Sequence, residues 1–186
     1  MHVRPGILLW PIVLPALLAA VPLAAQERGE TISSRGTIRE DVYLAGRSVE
    51  VRAQVEGDVV AAGARVSIEN RVRGDVLAAG GAVTVRATVE DDVRTAGGSV
   101  EIAGHVGDDV IAAGGEVLLA RTATVGGRAW LAGGSVAIAG QVGKGVRAAA
   151  GDIAITGQIA GDVELAGENI AIGPEAVIRG NLTYHS

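Results

Sequence analysis

Small aliphatic residues return along this chain at a fixed interval, and the interval predicts its fold. In the stretch VRGDVLAAGGAVTVRAT, Val72–Thr88, apolar side chains hold positions one, five, twelve and fourteen. Laid under itself, the unit recurs with first positions at Ile38, Val55, Val72, Val89, Val106, Val125, Val142, Ile159 and Ile178. The step is 17 residues, apart from two steps of 19 that absorb Ala123-Thr124 and Glu175-Ala176. A constant period of this size means stacked repeats, each burying its apolar face on its neighbours. Positions twelve and fourteen, as in Val83/Val85 and Val100/Ile102, alternate with a variable residue, the mark of a strand with one buried face. Gly-Asp at positions three and four, and Ala-Gly-Gly at eight to ten, read as turns. No i, i+3, i+4, i+7 pattern persists for two turns, so helical repeats are excluded.

The expected fold is all-β: a right-handed parallel β-helix (solenoid) of about eight to nine rungs, with three short strands in each. A hexapeptide left-handed helix needs 18 residues per coil, and a 17-residue rung argues for the right-handed kind. At about 4.8 Å per rung the rod is roughly 40 Å long. Position eight is Ala in every full rung from Ala45 to Ala166, which predicts a tight corner. Whether position seven or eight faces inward there is open from sequence.

Composition agrees with a thin stack rather than a broad core. Phe is absent, aromatic residues are 2% of the chain, and 28 residues are Gly. Val, Ile and Ala fit a pleated surface stacked on itself, where the large side chains of an ordinary core have no room. There is no cysteine. That excludes disulfides, cysteine-type zinc sites and a lipid-modified cysteine. The net charge of −5 is spread over mixed Arg, Asp and Glu, so no basic stripe points to nucleic acid.

Residues 1–25 have a basic start at Arg4, an apolar run from Ile7 to Val21, and small residues at the end. This is the pattern of a signal peptide, with cleavage expected after Ala25. The alternative is a retained signal anchor facing the periplasm, because Gly6 to Ala25 gives 20 largely apolar residues, about the length that spans a bilayer. Either way the repeat, residues 38–186, is expected outside the cytoplasm, in the periplasm or cell envelope. Residues 26–37 are polar, lack the repeat, and read as a lead-in or a cap over the first rung.

The V-x-G-D-V step, followed by a Gly turn and a V-x-I strand at 17-residue spacing from residue 38 to about 184, resembles the bactofilins. Those are polymer-forming bacterial cytoskeletal proteins with a right-handed parallel β-helix. The resemblance implies nucleotide-free, head-to-tail assembly of the protein with itself, and a role in cell shape or envelope organisation. Unlike typical members, this chain has an export-type leader and no Phe.

Three features carry candidate chemistry. Position four holds a column of acids, with Asp58, Asp75, Asp92 and Asp109 as candidate ligands for a hard cation. The alternative is that each Asp binds the backbone of its own turn, with Arg39, Arg73 and Arg94 offsetting the charge. Position six carries Val60, Leu77, Ile111 and Trp130, a candidate lateral interface with another rod, a membrane or a cell-wall polymer. The bland alternative is strand propensity on an outer face. The rod ends, Ile38 and Val42 at one and Leu182 and Tyr184 at the other, are candidate polymerisation surfaces, because an uncapped edge invites pairing.

Catalysis finds little support. His105 is a lone imidazole at a turn beside Thr88 and Thr122, and the two-residue insertions are short for the walls of a cleft. No cofactor is expected. The sequence therefore predicts a non-enzymatic, self-assembling scaffold of the cell envelope. The second reading is an exported binding module or adhesin that contacts cell-wall polysaccharide or another surface.

Overall fold

The computed structural model describes residues 28–185. The expected signal peptide, with its cleavage site and anchor alternative, lies outside them. The described chain is a parallel β-solenoid in which every rung repeats the one before it. Eight strands of ten residues, from Val42–Val51 to Val163–Ile172, stack in chain order in one wall. They are flanked by Arg28–Ser34 at one edge and Leu182–His185 at the other. Two-residue strands such as His105–Val106 and Gln141–Val142 form the opposing wall, joined across Val72 by single bridges to Val55 and Val89. All pairs are parallel and in register at the repeat, for example Val76↔Val93 and Val85↔Ile102. The described residues contain no helix, and so none long and apolar enough to cross a membrane.

Each rung therefore has one long strand and one short one, where three short strands were expected. The difference lies at Ala-Gly-Gly, through which the strand runs on instead of turning away. A Cβ on Gly80 would sit 2.4 Å from the carbonyl oxygen of Gly63 one rung below. Glycine here admits a close backbone approach, so the wall bends while its ladder continues. Position ten alone drops out of the pairing, which passes from Gly63↔Gly80 to Arg65↔Ala82.

Position seven faces inward and position eight outward. Ala61, Ala78, Ala112 and Leu165 are buried, whereas Ala62, Ala79 and Ala166 are exposed. The interior is made of stacked columns at positions one, five, seven, twelve and fourteen. In one rung the sizes trade places: Leu131 replaces the usual small residue at position seven where Ala129 replaces Val at position five. Fully burying a Val or Ile contributes about 1.5–3 kcal/mol, and repetition along each column makes the sum large for so thin a rod.

Residues 28–34 were expected to lack the repeat, yet they join it. Arg28–Ser34 pairs with the first long strand as Arg28↔Ala45 through Ser34↔Val51 and so occupies positions eight to fourteen of a preceding rung. Gly36, at φ +89°, turns the chain from there into Thr37–Ile38. That backbone region strains any residue with a side chain.

One interior residue is out of character. Thr95 at position seven is 3% exposed, and its Oγ1 has no hydrogen-bond partner among the described residues. A buried hydroxyl without a partner costs roughly 1–3 kcal/mol. Thr95→Val keeps the shape and removes the hydroxyl, so its unfolding free energy should rise by an amount in that range, read as a higher urea midpoint. A fall would mean that the hydroxyl is bonded in solution.

Candidate functional site

Among the described residues, the far end of the solenoid leaves its interior columns open. Ile172 at position fourteen, Leu182 at five and Tyr184 at seven are 43%, 42% and 62% exposed. Their counterparts one rung earlier, Ile155, Val163 and Leu165, are buried at 1% or less. Leu182–His185 covers only Val163–Ala166, so the edge of the preceding strand from Gly167 to Ile172 has no strand beyond it among the described residues. The end is thus an apolar cross-section beside a free row of backbone donors and acceptors. The near end is arranged differently from expectation. Val42 is buried, at 6% exposure, and Ile38 is half-buried. Among the described residues the edge of the long wall at that end is Arg28–Ser34 instead.

Position six does face outward, but it is not one stripe. Val60 and Leu77 are neighbours, as are Ile111 and Trp130, and Arg94 separates the two pairs. Only Ile111 is exposed; the other three are half-buried. Beyond Trp130 the column becomes the ion pair Arg147–Glu164, at 2.9 Å.

The aspartate column forms a hydrogen-bonded ladder between rungs, rather than closing each turn on itself. Asp41 Oδ1 accepts the Asp58 N–H at 3.0 Å, Asp58 that of Asp75 at 2.9 Å, Asp75 that of Asp92 at 3.1 Å, and Asp92 that of Asp109 at 2.9 Å. Asp109 then accepts from Arg128 at 2.7 Å. Position four needs an acceptor because its N–H sits at a corner where the backbone ladder skips, and a short carboxylate reaches it. Arg94 bridges two of these acids, donating to Asp75 Oδ2 at 2.8 Å and to Asp92 Oδ2 at 2.6 Å. The hydrogen bond to Asp75, ahead of the two carboxylate charges, raises the Arg94 pKa. Arg73 turns away from this column and binds Glu56, at 2.6 Å. Among the described residues no three acidic or histidine side chains converge on a point that could hold a metal ion.

Asp75→Ala removes an acceptor from both the Asp92 N–H and Arg94. It should cost about 1–3 kcal/mol of unfolding free energy. Asp75→Asn keeps an oxygen toward the Asp92 N–H and should cost clearly less. Equal losses in denaturant titrations would mean that charge, not the ladder bond, is what the column supplies.

On the short-strand wall the first rungs carry paired charges. Glu56 accepts from Gln54 Nε2 at 2.9 Å and from Arg73, and these bonds, Gln54 first, hold its carboxyl below its usual pKa. A depressed carboxyl adds stability above its ordinary pKa and loses it as pH falls through the folded value, so this contribution is present at neutral pH and disappears in acid. Farther along, the wall is smooth: Gly126 and Gly143 floor a shallow groove with Gln141 and Gln158. The two inserted corners, Ala120–Ala123 and Gly173–Ala176, are each closed by a hydrogen bond between their end residues. Thr124 itself belongs to the ladder, paired with His105, so the extra residues sit in the corner just before it. Exposed His105 accordingly lies between Thr88 and Thr124, not beside Thr122. Arg121 on one corner reaches Glu175 on the other at 3.1 Å, bridging a hollow of about 180 Å3 over Gly140 and Gly157.

No family model, curated protein or solved structure matches the chain.

Its surfaces must therefore be judged by their own chemistry. The hollow under the Arg121–Glu175 bridge presents a single carboxylate, already ion-paired, together with amide and hydroxyl groups from Gln141, Gln158 and Thr156. Such a surface can hydrogen-bond a polar chain. The far end of the rod can do something else: offer both apolar burial and an unfilled backbone ladder to another strand.

Proposed function

We propose that this protein is a non-enzymatic, self-assembling structural scaffold of the bacterial cell envelope, resembling the bactofilins, whose subunits join through the ends of their solenoids. The observation that carries this reading is the open far end, where Ile172, Leu182 and Tyr184 continue interior columns into solvent. An end that repeats the interior is satisfied best by another rung of the same kind. The uninterrupted ladder and the V-x-G-D-V repeat add support. In this reading the leader, residues 1–25, takes the solenoid out of the cytoplasm.

A binding module is the second reading, favoured by the bridged hollow and by exposed Ile111 and Leu118 on the outer wall. Sedimentation velocity across a concentration series separates the two. A scaffold gives species that grow with concentration. A binding module gives one rod-shaped species at every concentration and retention on insoluble cell-wall polysaccharide.

A further inference from the structure

Between Ile38 and Ile178 the 17-residue period breaks in only two places, and the fold sets the two breaks facing each other. Each adds two residues at the same corner of its rung, giving Ala120–Ala123 and Gly173–Ala176. Three rung steps separate them, roughly 14 Å at about 4.8 Å each. The corners in between, Ala139-Gly140 and Thr156-Gly157, carry no insertion. In solenoids, departures from the repeat collect on one face, often the face that binds. Short as they are, the inserted corners act as two jaws, because Arg121 of one reaches Glu175 of the other across the gap at 3.1 Å.

Two hollows lie at this gap. One, of about 180 Å3, sits under the Arg121–Glu175 bridge on Gly140 and Gly157. The other, of about 240 Å3, lies on the short-strand wall over Gly143 and Ala160 and is bounded by Arg179. Gln141 and Gln158 line both, so the hollows are two halves of one cleft that crosses the rod in the strand direction. The two glutamines are neighbours in the ladder and exposed, yet neither side-chain amide has a hydrogen-bond partner among the described residues. We infer that this cleft binds an uncharged glycan chain, laid across the Gln141–Gln158 pair and held under the Arg121–Glu175 bridge. The inference takes up the binding reading, and it holds whether or not rods join at their ends, because the cleft lies on the side of the rod.

The lining selects the ligand. Apart from the paired Arg121 and Glu175, and Arg179 at the edge, it is uncharged: two amides, the Thr124 and Thr156 side chains, and backbone. A glutamine amide both donates and accepts, and so answers the adjacent hydroxyls of a sugar, each of which does the same. A peptide strand finds no free edge here, since the short strands at Thr124, Gln141 and Gln158 are each paired on both sides. A nucleic acid strand needs several cations and stacking rings, and the lining holds one unpaired cation and no aromatic residue. Both partners of the bridge are largely exposed, so parting it costs little and a chain can enter beneath it.

Ligand-observed NMR titration tests the cleft, using the full chain expressed with its leader and recovered as the cell processes it. The probes are cellotetraose and chitotetraose, both neutral, and the acidic tetragalacturonate. Saturable binding of at least one neutral tetramer, tighter than that of the acidic one, is the expected result. Gln141→Ala combined with Gln158→Ala removes two exposed side chains, keeps the fold by circular dichroism, and should raise the Kd at least about tenfold. Arg121→Glu sets two acids across the gap and should raise it by up to about fivefold, and adding Glu175→Arg should restore both the bridge and the affinity. Glycan binding that the double glutamine variant keeps in full would overturn the cleft and leave a binding module standing. Preference for tetragalacturonate would overturn the uncharged ligand. Failure of both neutral tetramers to bind would overturn the cleft together with the binding reading, and would leave end-to-end assembly untouched.

Discussion

Leu182→Asp combined with Tyr184→Asp is expected to give a folded rod that no longer assembles. Both side chains are already largely in solvent in the single molecule, at 42% and 62% exposure, so their loss should cost the subunit under about 1 kcal/mol. In an end-to-end contact each would be buried in an interior column, worth about 1.5–3 kcal/mol apiece before the penalty of confining a carboxylate. At 1.4 kcal/mol per factor of ten, the concentration for half-assembly should rise at least about 100-fold. Circular dichroism establishes that the fold is intact, and sedimentation reads the assembly. Ile111→Asp, on the outward column, is the control and should leave assembly unchanged. Reversed outcomes, with Ile111→Asp abolishing assembly and the end variant keeping it, would move the contact from the ends of the rod to its side.

Ile102→Ala should be among the most damaging of the core truncations. Ile102 is fully buried at position fourteen, between Val85 below and Leu119 above. Truncating such a residue costs about 2–5 kcal/mol, and the stack cannot close the gap because its rung spacing is fixed by the backbone ladder. Since each rung contacts only its neighbours, the loss should be local. Amide exchange should speed up in the rungs around Ile102 far more than near Ile38 or Ile172. The same change at exposed Ile172 should cost the isolated subunit little. Equal destabilisation at the two sites, or uniform loss of protection along the rod, would show that the solenoid unfolds as one unit.

The period was legible because β-branched residues at positions twelve and fourteen mark it in nearly every rung, and the strand pairing follows that register without a slip. The extent of the strands was not. Gly is the usual turn residue, and nothing in Ala-Gly-Gly distinguishes a turn from a strand whose neighbour passes within contact distance of its Cα. The opening strand escaped notice because Gly29 and Ile32 are its only residues that match the repeat. The aspartates were visible as a column, but not as a ladder. Sequence places each Asp on its turn and cannot say that its oxygen reaches the next rung rather than its own. Arg94 was correctly placed near that column by register, whereas Arg73, at equivalent sequence distance, found Glu56 instead. Of the proposed end residues, Leu182 and Tyr184 lie open, while Val42 is buried and Ile38 half-buried.

The most direct test of end-to-end assembly is electron microscopy of the processed protein, concentrated at physiological salt. Eight full turns begin at Ile38 and finish before Ile178, so each subunit advances a filament by at least eight turns, roughly 38 Å at about 4.8 Å each. Filaments one solenoid wide, with an axial repeat of at least that length, are the predicted result. Isolated rods at every concentration would contradict the scaffold itself.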